Sequence, residues 1–114
     1  MKVRFVLLSA VLFAYSLCIG QSLSIDSLKN QLASSKNDTA KVKLLLKIAT
    51  VYRGTDPKLA IPYTDQAKEL AAQLNYQSGL ALSYKFAGLA YYDQSMYVPA
   101  TENWNHAVNS SSHE

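Results

Sequence analysis

The feature that most constrains the fold of this chain is an internal repeat with an offset of 40 residues, as from Ala60 to Ala100. Other positions that match under this offset are Leu44 and Tyr84, Val51 and Tyr91, Tyr52 and Tyr92, and Ala67 and Ala107. Self-similarity at a fixed period indicates repeated supersecondary units that bury a continuous core by stacking on one another. With 114 residues, the chain has room for one domain of this kind.

Apolar residues recur at helical spacing in both copies of the repeat and in the segment before them. The pattern predicts five helices, at about 24–35, 39–53, 57–74, 80–93 and 97–108. No segment shows the alternation or the density of β-branched residues that is typical of strands. The predicted fold class is therefore all-α.

Capping and breaking residues set the predicted ends of these helices. Asp38 or Thr39 is expected to cap the second helix, and Gly54 is expected to end it in the left-handed conformation. Pro57 suits the first position of the third helix, because the missing N–H has no helical partner there. Pro62 lies about one turn further on, so a kink or a frayed first turn is expected.

The second copy carries a sharper pattern than the first. It reads Tyr84-x-x-Ala87-Gly88-x-x-Tyr91, followed by Tyr97-x-x-Ala100-x-x-x-Trp104-x-x-Ala107. This spacing resembles the tetratricopeptide repeat (TPR). The resemblance implies antiparallel helical hairpins that stack into an α-α superhelix, a TPR-like solenoid.

Residue size in this pattern has a physical reason within such a hairpin. Gly88 and Ala100 would be small because two antiparallel helices approach closely there. The larger side chains Tyr84, Tyr91 and Trp104 would fill the wedge between the helices. Ala107 would let the next unit dock.

The first copy is degenerate, since it has Ile48 at the glycine position and Thr64 at the aromatic position. The resemblance covers residues 38–108, divided into units at about 41–77 and 81–108. Residues 21–37 are assigned to an N-terminal helix and linker, and residues 109–114 to a polar tail.

The first 20 residues have the pattern of a secretory signal peptide. Lys2 and Arg4 precede an apolar run over residues 5–19, and Gly20 supplies a small residue at its exit. A retained anchor is an alternative, although about 15 apolar residues are fewer than the roughly 20 that a spanning helix needs. A lipoprotein signal at Cys18 is a third interpretation of this segment. Cleavage after Gly20 would place the protein in the periplasm or another extracytoplasmic compartment.

Removal of this leader changes what the net charge of +3 implies. Of the 11 basic residues two lie in the leader, which leaves 9 against 8 acidic residues. The nearly neutral remainder gives no support to nucleic-acid binding. The remainder also has no cysteine, so its stability is expected to come from helix packing rather than from disulfides.

A second resemblance is to the exported N-terminal region of bacterial TPR-containing histidine kinases and regulators. It rests on the leader, on the segment Ile25-Asp26-Ser27-Leu28-Lys29 and on the hairpin segment 56–63. In that family a membrane span and a kinase or DNA-binding output domain commonly follow. The resemblance implies a sensing role, with the membrane reached only through the leader or through a downstream span.

No catalytic or metal-binding pattern stands out from the sequence. The histidines His106 and His113 have no cysteine or acidic partner at ligand spacing. The serines lie in caps and loops, and the glycines form no phosphate loop. The sequence therefore predicts a protein that is not an enzyme and that uses no metal and no cofactor.

Binding of a protein or peptide is the positive functional hypothesis. Stacked hairpins present the first helix of each pair along a concave face. By family analogy that face includes Leu45, Ala49, Tyr52 and Arg53 from one unit, and Lys85, Leu89, Tyr92 and Asp93 from the other. The alternative is that Tyr52 and Tyr92 pack between the hairpins. The lysines and asparagines that grip a carboxyl terminus in chaperone-binding relatives are not matched.

The fifth helix is expected to leave an apolar flank uncovered, because about three units are usually needed to bury a continuous core. Two explanations remain open. Either the chain is a fragment of a longer signalling protein, which we favour, or it pairs with itself or a partner at that flank. A self-associating structural scaffold is thus the alternative function.

Overall fold

The structure is a computed structural model that describes residues 25–111. The first helix, α1, occupies residues 25–34, and α2 covers Thr39–Arg53. A 3-10 turn at Pro57–Ala60 leads into α3 at Ile61–Gln73. Helix α4 covers Gln77–Asp93 and α5 covers Tyr97–Ser111. Within residues 25–111 there is no strand, which confirms the all-α class. The predicted signal peptide lies outside the described residues.

The cap of α2 is Asp38, whose carboxylate accepts a hydrogen bond from the backbone N–H of Lys41 at 3.1 Å. The expectation for the other end was wrong. Gly54 has a φ of −76° and ends the helix in a right-handed turn, with its N–H donating to the carbonyl of Val51. Positive φ angles occur instead at Asn75, with 54°, and Ser95, with 61°, in the turns after α3 and α4.

The predicted irregularity at Pro62 is present. The segment expected to form one helix is divided into the 3-10 turn and α3, and Pro62 lies at the beginning of the α-helical part. A proline in the first turn removes no helical hydrogen bond, so the division lets both Pro57 and Pro62 occupy favourable positions.

Helix α4 begins three residues earlier than predicted, and α5 ends three residues later. Gly79 is consequently not in a turn but is buried inside α4, where the ring of Tyr76 occupies the space beside its Cα. Helix α5 continues past Val108 through Ser111.

The core is formed because α4 packs against α2, α3 and the 3-10 turn together. One buried cluster contains Val42, Leu45, Leu46, Ala67, Leu70 and Ala71, and Leu80 of α4 packs against it. A second cluster joins Ala90 of α4 to Ala49 and Ala60. Full burial of a leucine or valine side chain contributes about 1.5–3 kcal/mol to folding. By packing against these two clusters, α4 therefore stabilises the hairpin formed by α2 and α3.

The 40-residue offset of the sequence is preserved in the helix boundaries. Helices α2 and α4 end at Arg53 and Asp93, and the following elements begin at Pro57 and Tyr97. Arg53 and Asp93 also contact each other directly, because Arg53 Nε lies 2.8 Å from Asp93 Oδ2. Equivalent positions of the two units can therefore be compared one by one.

Candidate interaction site

Helices α4 and α5 meet at the small residue that the sequence pattern singled out. The indole ring of Trp104 lies directly over Gly88, so that even a methyl group there would overlap it. Trp104 Nε1 donates to the backbone carbonyl of Lys85 at 3.4 Å. Ala100 is fully buried at the start of α5. Close approach at Gly88 thus fixes the position of Trp104.

The outer edge of this hairpin carries a stack of three side chains. Tyr84 stacks on His106 with ring centroids 4.9 Å apart, and Lys68 Nζ lies 5.1 Å from the centroid of Tyr84. Lys68 also approaches Asn103 Oδ1 at 3.2 Å. Tyr91 is half-buried on the same helix, and this burial raises the pKa of its hydroxyl. These residues serve packing between α3, α4 and α5.

Three of the predicted groove residues are engaged within the chain. Tyr52 stacks on Tyr63 with centroids 5.5 Å apart, and Lys29 Nζ of α1 lies 5.3 Å from the Tyr52 centroid. A hydrogen bond with Tyr52 raises the pKa of Lys29, and burial raises the pKa of Tyr63. Arg53 and Asp93 form the ion pair described above. This half of the predicted face is occupied by internal contacts.

The expectation that Leu45 and Ala49 line a binding face was wrong. Their side chains are only 1% and 0% exposed. The reason is that α4 packs over α2 at these positions and removes them from solvent. Neither residue can contact a partner while the core is intact.

The other half of the predicted face opens into an apolar groove between α4 and α5, with a volume of about 730 Å³. We call it the α4–α5 groove; its lining residues are Ser78, Ala81, Leu82, Lys85, Leu89, Trp104, Ala107, Val108 and Ser111. Leu82 and Val108 remain 40% and 66% exposed. The structure therefore brings together Lys85 and Leu89, predicted to bind, with Trp104 and Ala107, predicted to pack.

Tyr92 lies beside the groove. Its ring is 52% exposed and contacts Tyr97 edge-on, with centroids 5.5 Å apart. The centroid of the Tyr92 ring also lies 5.8 Å from the ring centroid of Trp104. Tyr92 consequently supports the indole that forms one wall of the α4–α5 groove, through contacts within this hairpin.

Electrostatically the α4–α5 groove has one charged lining residue, Lys85. A second surface depression, between α1 and α2, is different in character, because it is lined mainly by polar residues and by the lysines Lys36, Lys41, Lys43 and Lys47. Exposed lysines of this kind are ordinary for a solvated helix face. A continuous apolar surface is the more informative feature.

Comparison of equivalent positions explains what the α4–α5 groove is. Six of its lining residues, Leu82, Lys85, Leu89, Trp104, Ala107 and Ser111, correspond under the 40-residue offset to Val42, Leu45, Ala49, Thr64, Ala67 and Ala71. All six residues of the first unit are buried in the packing of α2, α3 and α4. The groove is thus the counterpart of a surface that a helix covers in the first unit.

The sequence interpretation missed Leu82, Val108 and three of the small residues that line this groove, Ser78, Ala81 and Ser111. Apolar residues at helical spacing are normally core residues, so the pattern alone does not distinguish Leu82 from a core residue. The offset itself contained the signal, because it relates Leu82 to Val42 on the face that receives the next helix.

In the described part of the chain, no three His, Cys, Asp or Glu side chains are grouped in a way that could hold a metal ion. Among the same residues, no helix has the length and apolar character needed to span a membrane. No protein-family model, curated protein or solved structure matches the chain.

Proposed function

We propose that the chain is a TPR-like interaction module that binds a helical segment of a protein partner in the α4–α5 groove. The observation that carries the proposal is the equivalence of the groove to the surface that α4 covers in the first unit. An apolar groove at the position that receives a helix in the first unit is suited to receive a helix in the second.

The order of helix contacts supports a TPR-like arrangement. Helix α2 contacts both its hairpin partner α3 and the first helix of the next unit, and α3 contacts that same helix. Stacked hairpins of a superhelix require these three pairings. The proposal further includes the exported location and the sensing role that the sequence resemblances imply.

Binding would rest on a small number of anchors. Trp104 combines a large apolar area with a fixed orientation, because Gly88 and Tyr92 hold its ring. Leu82 and Leu89 extend the apolar surface along α4, and Lys85 is the charged residue of the lining. No residue of the groove is assigned a catalytic role.

Affinity capture from an envelope extract tests the proposal. The intact protein is expected to retain a defined partner, and Leu89→Asp, Lys85→Ala or Tyr92→Ala is expected to weaken retention. Leu59→Asp is the matched control, since Leu59 is an exposed leucine on the 3-10 turn, outside the groove. Equal capture by the Leu89 and Leu59 variants would count against the α4–α5 groove as the site.

A self-associating scaffold is the second candidate function, and the exposure of Leu82 and Val108 is the observation that favours it. In that case two copies would cover each other's grooves. Sedimentation is expected to show concentration-dependent association that Leu89→Asp removes. A monomer at high protein concentration would eliminate this function.

A further inference from the structure

The interior of the chain provides a template for the partner of the α4–α5 groove. Helix α4 presents four small residues, Gly79, Ser83, Ala87 and Ala90, that are all buried. Their spacing of four, four and three places them along one face of the helix. Ala90 of this stripe lies in the cluster with Ala49 and Ala60, so the stripe faces the first hairpin.

The walls of the α4–α5 groove carry larger side chains than their buried counterparts. Leu82, Leu89 and Trp104 stand where the first unit has Val42, Ala49 and Thr64. Larger walls leave less room for the side chains of an incoming helix at the same separation of the helix axes. A partner helix that docks as α4 does must therefore also present small residues.

Lys85 adds an electrostatic requirement. Its counterpart, Leu45, is 1% exposed beneath α4. A helix docked in the same way on the α4–α5 groove would remove Lys85 from water, and an ammonium group without a partner is costly to desolvate. The other lining residues are uncharged, so none of them offers a carboxylate. The compensating charge must come from the occupant.

We infer that the partner segment is an amphipathic helix with a stripe of small residues and one carboxylate that pairs with Lys85. This inference rests on the proposed function and specifies its partner. We place the carboxylate at the position of Leu80, one of the α4 side chains that pack against the cluster to which Leu45 belongs. The segment comes from another protein chain, and a second copy of this chain is an outcome that the test distinguishes.

Three synthetic peptides test the inference. Each copies Gln77–Asp93 and replaces Leu80 by Glu, Gln or Lys. Short helices are only marginally stable in water, so each peptide loses affinity when it becomes helical on binding. Because this loss is similar for all three peptides, differences in their affinities reflect the charge at position 80. Trp104 is the only tryptophan of the chain and the peptides contain none, so its fluorescence reports occupancy of the α4–α5 groove directly.

The expected result is that the Leu80→Glu peptide binds about tenfold more tightly than the Leu80→Lys peptide, with Leu80→Gln between them. The protein variant Lys85→Glu is expected to invert this order. Lys47→Glu changes the net charge equally, on an exposed position of α2 outside the groove, and should leave the order unchanged. A fourth peptide, which combines Leu80→Glu with Ala87→Leu, is expected to lose binding.

Distinct outcomes overturn the inference. Equal binding of the Glu and Lys peptides that Leu89→Asp abolishes would refute the carboxylate and leave the α4–α5 groove as a helix site. Tighter binding of the Ala87→Leu peptide would refute the small-residue stripe. A change in Trp104 fluorescence with protein concentration alone, abolished by Leu89→Asp, would show that a second copy occupies the groove. Absence of any peptide response, with capture of a partner still dependent on Leu89, would refute the carboxylate-bearing helix with a small-residue stripe as the partner, but would leave the α4–α5 groove as the interaction site.

Discussion

Replacement of Gly88 by alanine is expected to destabilise the protein, although alanine is the better helix former. In a helix interior the change from glycine to alanine contributes about 1 kcal/mol of stability. At Gly88, however, the added methyl group would overlap the indole of Trp104. Overpacking of this kind costs about 1–3 kcal/mol. The net expectation is a loss of about 1 kcal/mol in the free energy of unfolding.

The same substitution is expected to change sign when the indole is absent. In a Trp104→Ala background the methyl group has space, and Gly88→Ala should then stabilise by about 1 kcal/mol. The coupling between the two positions is therefore about 2 kcal/mol, measurable in a double-mutant cycle. Urea unfolding followed by far-ultraviolet circular dichroism provides the four free energies.

Gly79→Ala is the matched control, since the ring that its methyl group would meet belongs to Tyr76 instead of Trp104. Its effect should be the same in both backgrounds. If Gly88→Ala stabilises equally with and without the indole, the close contact between α4 and α5 does not exist as described, and the wall of the α4–α5 groove is misplaced.

Three further predictions concern the core, the pH and the repeat. Leu45→Ala is expected to lower the free energy of unfolding by about 2–5 kcal/mol, and Leu82→Ala, in the open groove, by less than about 1 kcal/mol; urea midpoints compare them. Burial raises the pKa of Tyr91, so its neutral form is favoured in the folded state. The contribution of Tyr91 to the free energy of unfolding should be fully present below about pH 10 and should be lost as the pH rises through the pKa of Tyr91 in the folded state. Tyr91→Phe should reduce that loss. A cycle of Arg53→Ala and Asp93→Ala is expected to give a coupling of about 0.5 kcal/mol that salt weakens, whereas no coupling at low salt would contradict the ion pair.

The internal repeat was the most informative part of the sequence. It related Ala60 to Ala100, both of which are buried, and it related Arg53 to Asp93, which form an ion pair across the two units. The offset of 40 residues is preserved at the hairpin turns, because α2 and α4 end 40 residues apart and the elements that follow them also begin 40 residues apart. The close approach of two helices at Gly88, expected from the tetratricopeptide resemblance, is also present, since the indole of Trp104 lies against Gly88.

Sequence periodicity could not distinguish which apolar face is covered. Family analogy placed Leu45 and Ala49 on a binding face, although α4 covers both, and helical spacing alone did not show that Leu82 is exposed. Apolar side chains on a helix have the same pattern whether or not a neighbouring helix is present to bury them. Whether such an apolar face is buried depends on where the stack of helices ends within the described residues.

Turn geometry was the other part that the sequence did not determine. Glycine is the usual residue for a left-handed turn, yet Gly54 is right-handed while Asn75 and Ser95 have positive φ angles. Asparagine accepts this conformation more readily than most residues, and serine at Ser95 is stabilised by a backbone bond to the carbonyl of Tyr92 at 2.8 Å.

A map of amide chemical shifts in the ¹⁵N-labelled protein, recorded as the Leu80→Glu peptide is added, tests directly whether the α4–α5 groove binds a helix. The shift changes are expected to concentrate along the α4–α5 groove, at Leu82, Lys85, Leu89, Ala107 and the indole N–H of Trp104. Changes concentrated instead at Tyr52 and Tyr63, on the face occupied by internal contacts, would contradict the assignment of the groove as the helix-binding surface.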